Sequence, residues 1–397
     1  MPTGIKSRDI RLDAIRGMFL IIMAAVHVPT PLSHALQEPF GFVSDAEGFV
    51  FLSATLAGFI YGRIYREGGW VAMSRRAWSR ARWVYLVHLA LVVPLALIAW
   101  AAAGRMAPLA NHFHDFLVHP WASLALLPLL LNQPPLFDIL PLYVVLLGAT
   151  PLLLALARRR GWSAILWISL FGWLAAQFKF DPQFIGNPSR LLPVCWGSFN
   201  FLAWQFLWVC GLALGETAPR WPTLGRPFRI AAGGVSLLVV VAGLLSRHGY
   251  WPQAWFSQDL YLWMDKWTLG PLRLLNFGAW VALLLAWNPS FSLPPFLAPV
   301  ALLGRQSLAV FAFHLPLAIA ATTTIQVLSL TSGSQTVIGL AVIAALFPWA
   351  ARQERNDHRR RAQFSSAITA PAATAAPGPN DGERSAPGSL AELPVAG

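Results

Sequence analysis

Ten predominantly apolar stretches, separated by loops that alternate between basic and nearly uncharged, leave this chain one class of fold: an all-α, polytopic integral membrane helical bundle. The hydrocarbon core of a bilayer is about 30 Å thick and offers the backbone no hydrogen-bond partners, so each crossing must be a helix that satisfies its own peptide groups. The first stretch ends near residue 28, and the others fall near 48–62, 83–103, 137–157, 162–178, 196–215, 230–246, 271–288, 297–320 and 335–351. Basic residues assign the sides. Lys6, Arg8 and Arg11 precede the first stretch, and Arg63, Arg66, Arg75, Arg76, Arg80 and Arg82 separate the second from the third. Arg158, Arg159 and Arg160 follow the fourth, and Arg220, Arg226 and Arg229 lie between the sixth and seventh. The positive-inside rule makes these loops and both termini cytoplasmic. Residues 29–47, which hold no Lys or Arg, then lie outside. The apolar stretch 121–131 is too short to cross and reads as re-entrant or interfacial.

Composition excludes the main alternatives. With 56% apolar residues, 12% charged, 19 Trp and a mean hydropathy of +0.55, the chain is not an ordinary soluble domain. Its net charge of +12 comes from loops that alternate with uncharged ones, which is a topology signal and not a nucleic-acid stripe. The aromatics Trp251, Trp255, Tyr261, Trp263 and Trp267 suit an outer interfacial belt, with sugar stacking as a second use. Cys195 and Cys210, if on one helix, stand about 22 Å apart and cannot pair. The N-terminal stretch has no convincing small-x-small cleavage site and is expected to be retained. Residues 1–351 form the membrane domain. Residues 352–397 open with Arg352, Arg355, Arg359, Arg360 and Arg361 and continue rich in Ala and Pro, so a disordered cytoplasmic tail is expected there.

With no metal-ligand spacing, phosphate-binding glycine loop or nucleophile elbow in the sequence, the chemistry must come from scattered polar residues in the bundle. Arg16 and His27 stand out. Eleven residues is close to three helical turns, which puts both on nearly one face of the first helix, roughly 16 Å apart along its axis. Ionisable groups at such positions are costly and usually functional. Asp13 lies one turn before Arg16, as a local ion pair or as part of a binding site. Asp45 and Glu47 stand at the outer entrance of the second helix, with Ser53 and Thr55 within it. His88 reads as a hydrogen-bonded interior histidine. His112, His114 and His119 read as solvated loop residues, and no metal site is expected. Lys179, Asp181, Arg190, Asp259, Asp265 and Lys266 occupy outer loops, and the later helices add Arg273, Arg305, Gln306, Ser307 and His314. Arg305 and His314 are two and a half turns apart, so they need not share a site.

The opening Arg-Leu-Asp-Ala-Ile-Arg-Gly at residues 11–17, with His27 ten intervening residues after Arg16, resembles the signature of the membrane acyltransferase family 3. Four further blocks resemble its OpgC-like branch, whose namesake succinylates periplasmic glucans: residues 45–53, 138–143, 265–273 and 303–314. Similar proteins accompany bacterial cellulose synthesis as transacylases. One departure is Ala54, where glycine is expected. The resemblance implies an enzyme of the bacterial inner membrane that moves an acetyl or succinyl group from a cytoplasmic donor, acyl-CoA, to hydroxyls of an extracytoplasmic glucan, with no bound cofactor. The glycan acceptor, acyl-CoA and the lipid bilayer are the expected partners, together with a polysaccharide synthase complex; nucleic acid is not. His27 is expected to act as general base or transient acyl acceptor, oriented by Glu47 or Asp45. Asp13, Arg16, Lys266, Arg273, Arg305, Ser307 and His314 are expected to bind the substrates. The competing class is a transporter or flippase that moves a glycan, lipid or acid unmodified, which intramembrane charges fit equally well.

Overall fold

The computed structural model describes residues 9–102, 107–178, 194–195, 197–218, 225–250, 262–287 and 294–369. Lys6, Arg8, Lys179, Asp181, Arg190, Arg220, Trp251, Trp255, Asp259, Tyr261 and the tail from residue 370 lie outside the described residues. Every named element is helical, in keeping with the all-α expectation. In chain order they are α1 (Ile10–Val26), α2 (Pro31–Leu36), α3 (Asp45–Ala101), α4 (Ala107–His112), α5 (His114–Val118), α6 (Pro120–Leu126), α7 (Ile139–Arg160) and α8 (Trp162–Gln177). There follow α9 (Phe201–Thr217), α10 (Arg226–Arg247), α11 (Pro271–Trp287), α12 (Ala298–Arg305), α13 (Ser307–Val327) and α14 (Ser332–Thr369). Five of these elements are long and apolar enough to cross a membrane: α3, α7, α10, α13 and Ser332–Arg360 of α14. The helices α1, α8, α9 and α11 are apolar but shorter, at 16 to 17 residues.

Three boundaries differ from the sequence reading. Residues 63–82, expected as a loop, are helical and belong to α3, whose 57 residues break only at Gly69 (φ 72°). Unbroken, that helix would run about 85 Å, nearly three times the hydrocarbon thickness. Glycine is the residue that tolerates the positive φ at the break. The expected ninth span is two helices, because Gln306 leaves helical geometry between α12 and α13. Its side chain is held by Glu354 of α14, with Gln306 Nε2 donating to Glu354 Oε2 at 2.7 Å. Finally, α14 runs on to Thr369, past the end expected for the last span at 351. The chain divides into two compact units, Met1–Glu354 and Arg355–Gly397. Cys195 is not on a helix; it forms a parallel bridge with Asn132, and both cysteines are free.

Glycines let the helices that carry the polar residues meet backbone to backbone. A side chain at Gly304 of α12 would strike the Asp13 carbonyl of α1, and one at Gly17 would strike the Val300 carbonyl. Such close approach, typical of small residues between membrane helices, fixes the register of α1 on α12 and α13. The pair α3 and α9 meets likewise at Gly58, Gly211 and Gly215. Ala54 is accommodated there because Gly211 faces it: a Cβ at Gly211 would lie 2.8 Å from the Ala54 methyl. At Gly278, by contrast, an added methyl would meet nothing within 4 Å. Gly304→Ala is therefore expected to lower the melting temperature, by an overpacking cost of about 1–3 kcal/mol, whereas Gly278→Ala stabilises by about 0.5–1 kcal/mol through helix propensity. Fluorescence-detected size exclusion after heating reads both, and equal behaviour of the two variants would contradict the packing.

Candidate active site

Helix α1 starts where Asp9 caps it, accepting from Arg11 N at 3.0 Å and from the Arg11 side chain at 2.9 and 2.7 Å. That hydrogen-bonded ion pair holds the Asp9 carboxyl below its usual range. Arg11 of the opening motif thus serves the helix start. The helix then carries Asp13, Arg16 and, as its C-terminal capping residue, His27. Asp13 is buried at the Gly304 crossing.

Two polar pairs join α1 to α13. At one end an Arg16 Nη2 donates to Ser307 Oγ, and the guanidinium lies 5.8 Å from the Phe49 ring centroid. At the other, His27 Nδ1 and His314 Nε2 are 2.9 Å apart. The imidazole planes are within 14° of parallel and their centroids 5.1 Å apart. Most of that separation is the N···N contact itself, so the rings meet edge to edge through a hydrogen bond and not face to face. His314 is fully buried, and His27 is partly exposed. Since Nδ1 of His27 is engaged, Nε2 is the nitrogen it can offer to another molecule. Aromatic rings connect the two pairs: Phe49 lies 6.5 Å from Phe311, and Phe311 packs edge-on against His314 at 4.9 Å. Tyr143 of α7 closes the side, donating to the Phe49 carbonyl at 3.1 Å and packing against Trp208.

Beyond His27, the start of α3 forms a buried ionic chain. Glu47 closes a capping box with Ser44, accepting from Ser44 N at 3.0 Å and from its hydroxyl. Its other oxygen accepts from Arg273 Nη1 at 2.7 Å. Arg273 also donates to Glu38 and, through Nε, to the Met264 carbonyl at 2.9 Å. Glu38 in turn pairs with Arg247 at 3.0 Å. Glu47 is fully buried and Arg273 is 3% exposed, so these charges depend on each other. Asp45 is buried beside them, and Lys266 lies in the turn whose Met264 carbonyl Arg273 holds.

The expected residues thus gather in part. Arg16 with Ser307, and His27 with His314, form one column; Glu47 and Arg273, with Asp45 and Lys266 close to them or their partners in the chain, form a second group. The orienting partner differs from expectation, since His27 is held by His314 while Glu47 holds Arg273. Each of the three nitrogens of Arg273, expected to bind substrate, donates to a group of the protein. Arg305 faces Glu354 at 3.4 Å and stands apart from His314. His88 is buried with no hydrogen-bond partner for either ring nitrogen among the described residues, contrary to its reading as a hydrogen-bonded histidine. Sequence reasoning did not assign Glu38, Arg247 or Tyr143. Tyr143 ends one of the motif blocks, whereas Glu38 sits in a loop with no basic neighbour to suggest its partners.

The family model described as OpgC protein matches residues 8–358. No curated protein and no solved structure matches the chain.

Proposed function

The chain belongs to the OpgC protein family, and on that premise we propose that it is a membrane O-acyltransferase acting on a glucan. In this reading an acetyl or succinyl group passes from cytoplasmic acyl-CoA to a hydroxyl of a periplasmic or cellulose-type glucose polymer. The ten helical stretches span the bacterial inner membrane with both termini cytoplasmic, residues 1–351 form the transfer domain, and a polysaccharide synthase complex is a further partner.

The observation that carries the reading is the His27–His314 pair, with a buried imidazole holding a partly exposed one. His27 Nε2 takes the proton of the acceptor hydroxyl as its oxygen attacks the thioester carbonyl. The tetrahedral intermediate collapses to the ester, and the departing thiolate takes the proton back from His27. Throughout, Nδ1 stays on His314, which keeps the ring aimed and shares the charge of the transient imidazolium. Arg16 lies roughly 16 Å from His27 along α1, too far to touch the same atoms, so its role is at the remote end of the donor. The aromatic column between the two excludes water from the thioester path.

The test compares ester-linked acyl groups on periplasmic and extracellular glucans from wild type, a deletion strain and His27→Ala at equal membrane level. Acylation is expected to fall in both mutants, and the acid released by mild alkali identifies the donor. Unchanged acylation in all three would sink the reading in favour of transport without transfer.

A further inference from the structure

The turn 264–270 is held unusually firmly for a segment that ends in exposed side chains. Gly270 N donates to the Asp265 carbonyl at 2.8 Å, and the Asp265 carboxylate accepts from both Thr268 N and Thr268 Oγ1 at 2.7 Å. Four carbonyls of its backbone are gripped from outside the turn. That of Met264 accepts from Arg273, that of Thr268 from Gln177 at 2.8 Å and that of Leu269 from Trp173 at 2.9 Å. The Trp267 carbonyl accepts twice, from Asn200 N at 3.1 Å and Trp204 Nε1 at 3.0 Å.

On this fixed turn the Trp267 side chain is left 42% exposed. Phe199 meets it edge-on at 5.5 Å, which sets the plane of the indole, and the Lys266 ammonium lies over the ring, 5.3 Å from its centroid. An aromatic that served only as a membrane belt would need no such backbone fixation. A rigid aromatic plane covered by an ammonium whose flexible stem lets it swing to the rim matches one ligand chemistry well. The C–H face of a pyranose ring packs on an indole, whose face is electron-rich, while the ring's hydroxyls accept from an ammonium with three donors. The position also fits, because Arg273, which holds the Met264 carbonyl of this turn, also holds Glu47, two residues before the Phe49 of the aromatic column that ends at His314 and His27.

We propose that Trp267 and Lys266 form a sugar-binding subsite that holds a neighbouring ring of the glucan chain while the acylated ring lies at His27. The inference rests on the glucan-acceptor reading above and adds to it the surface that grips the polymer.

The test is equilibrium binding of β-linked glucopentaoses of several linkages to the full-length protein in nanodiscs, by isothermal titration calorimetry. Trp267→Leu keeps an apolar belt but removes the flat face, and its Kd for the bound oligosaccharide is expected to rise about tenfold. Trp267→Phe keeps a face and is expected to stay within threefold, which also guards against misfolding as the cause. Trp267→Leu binding within twofold of wild type, or wild type binding none of the pentaoses, would overturn the subsite. Acyl transfer is read separately through His27→Ala. Tight, Trp267-dependent binding with acylation indifferent to His27 would leave the subsite standing and remove the transfer reading.

Discussion

On the proposed mechanism, His27→Ala is expected to lower the rate of acyl transfer to a glucan acceptor by about 10²–10⁴-fold, the span for removal of a general base. The measurement is initial-rate transfer from acyl-CoA to a soluble glucan by protein in nanodiscs. His314→Ala leaves the base in place but unaimed, so a loss smaller than that of His27→Ala is expected. The pair acts as a unit, and groups that act as a unit are grossly non-additive. The double variant should therefore be no slower than His27→Ala alone. Losses that multiply would show that the two histidines act independently, and the 2.9 Å contact between them would then have no catalytic meaning.

The second large effect is on folding. Arg273→Ala strands a fully buried Glu47 and removes one of the two partners of Glu38. Breaking a buried ion pair from one side costs about 3–5 kcal/mol, enough to unfold a marginal protein. Arg247→Ala removes a pair whose arginine is 36% exposed, for which about 0–1 kcal/mol is expected. Glu47→Gln combined with Arg273→Met should recover part of the loss, because no charge is then left alone at the start of α3. Thermal unfolding in detergent separates these cases. Equal melting of Arg273→Ala and Arg247→Ala would mean that the chain of ion pairs is not a buried support.

Much of the helix inventory was legible because apolar length is a strong signal, and the stretches near 137–157, 162–178, 230–246 and 271–288 recur as α7, α8, α10 and α11. The misreadings share one cause. Arginines in residues 63–82 and 352–361 mark where a chain leaves hydrocarbon, but Arg, Ala, Gln and Glu are also good helix formers. The helices therefore continue past the apolar stretches, and only Gly69 interrupts the first of them. The break at Gln306 has no proline to announce it, and the side chain there is held by Glu354, 48 positions away.

The site was legible by half. The spacing of Arg16 and His27 put both on one helix face, but their partners depend on how α1 packs against α12 and α13. That packing is decided by Gly17 and Gly304, whose missing side chains carry no chemical signature. Glu38 illustrates the limit. It takes a positive φ of 56°, and two guanidinium groups from distant helices hold it there.

The crossing of α1 over α12 has a consequence for what can vary in this protein. Arg16 and His27 are eleven residues apart on α1 and their partners Ser307 and His314 seven apart on α13, and both pairs form only while these two spacings are kept. Exchanging an apolar residue between 17 and 26 changes packing locally. Inserting or deleting one turns His27 by about 100° and shifts it about 1.5 Å, which uncouples it from His314 even if every side chain is kept. What this segment must keep is thus Gly17 and a length, and the side chains of residues 18–26 are comparatively free.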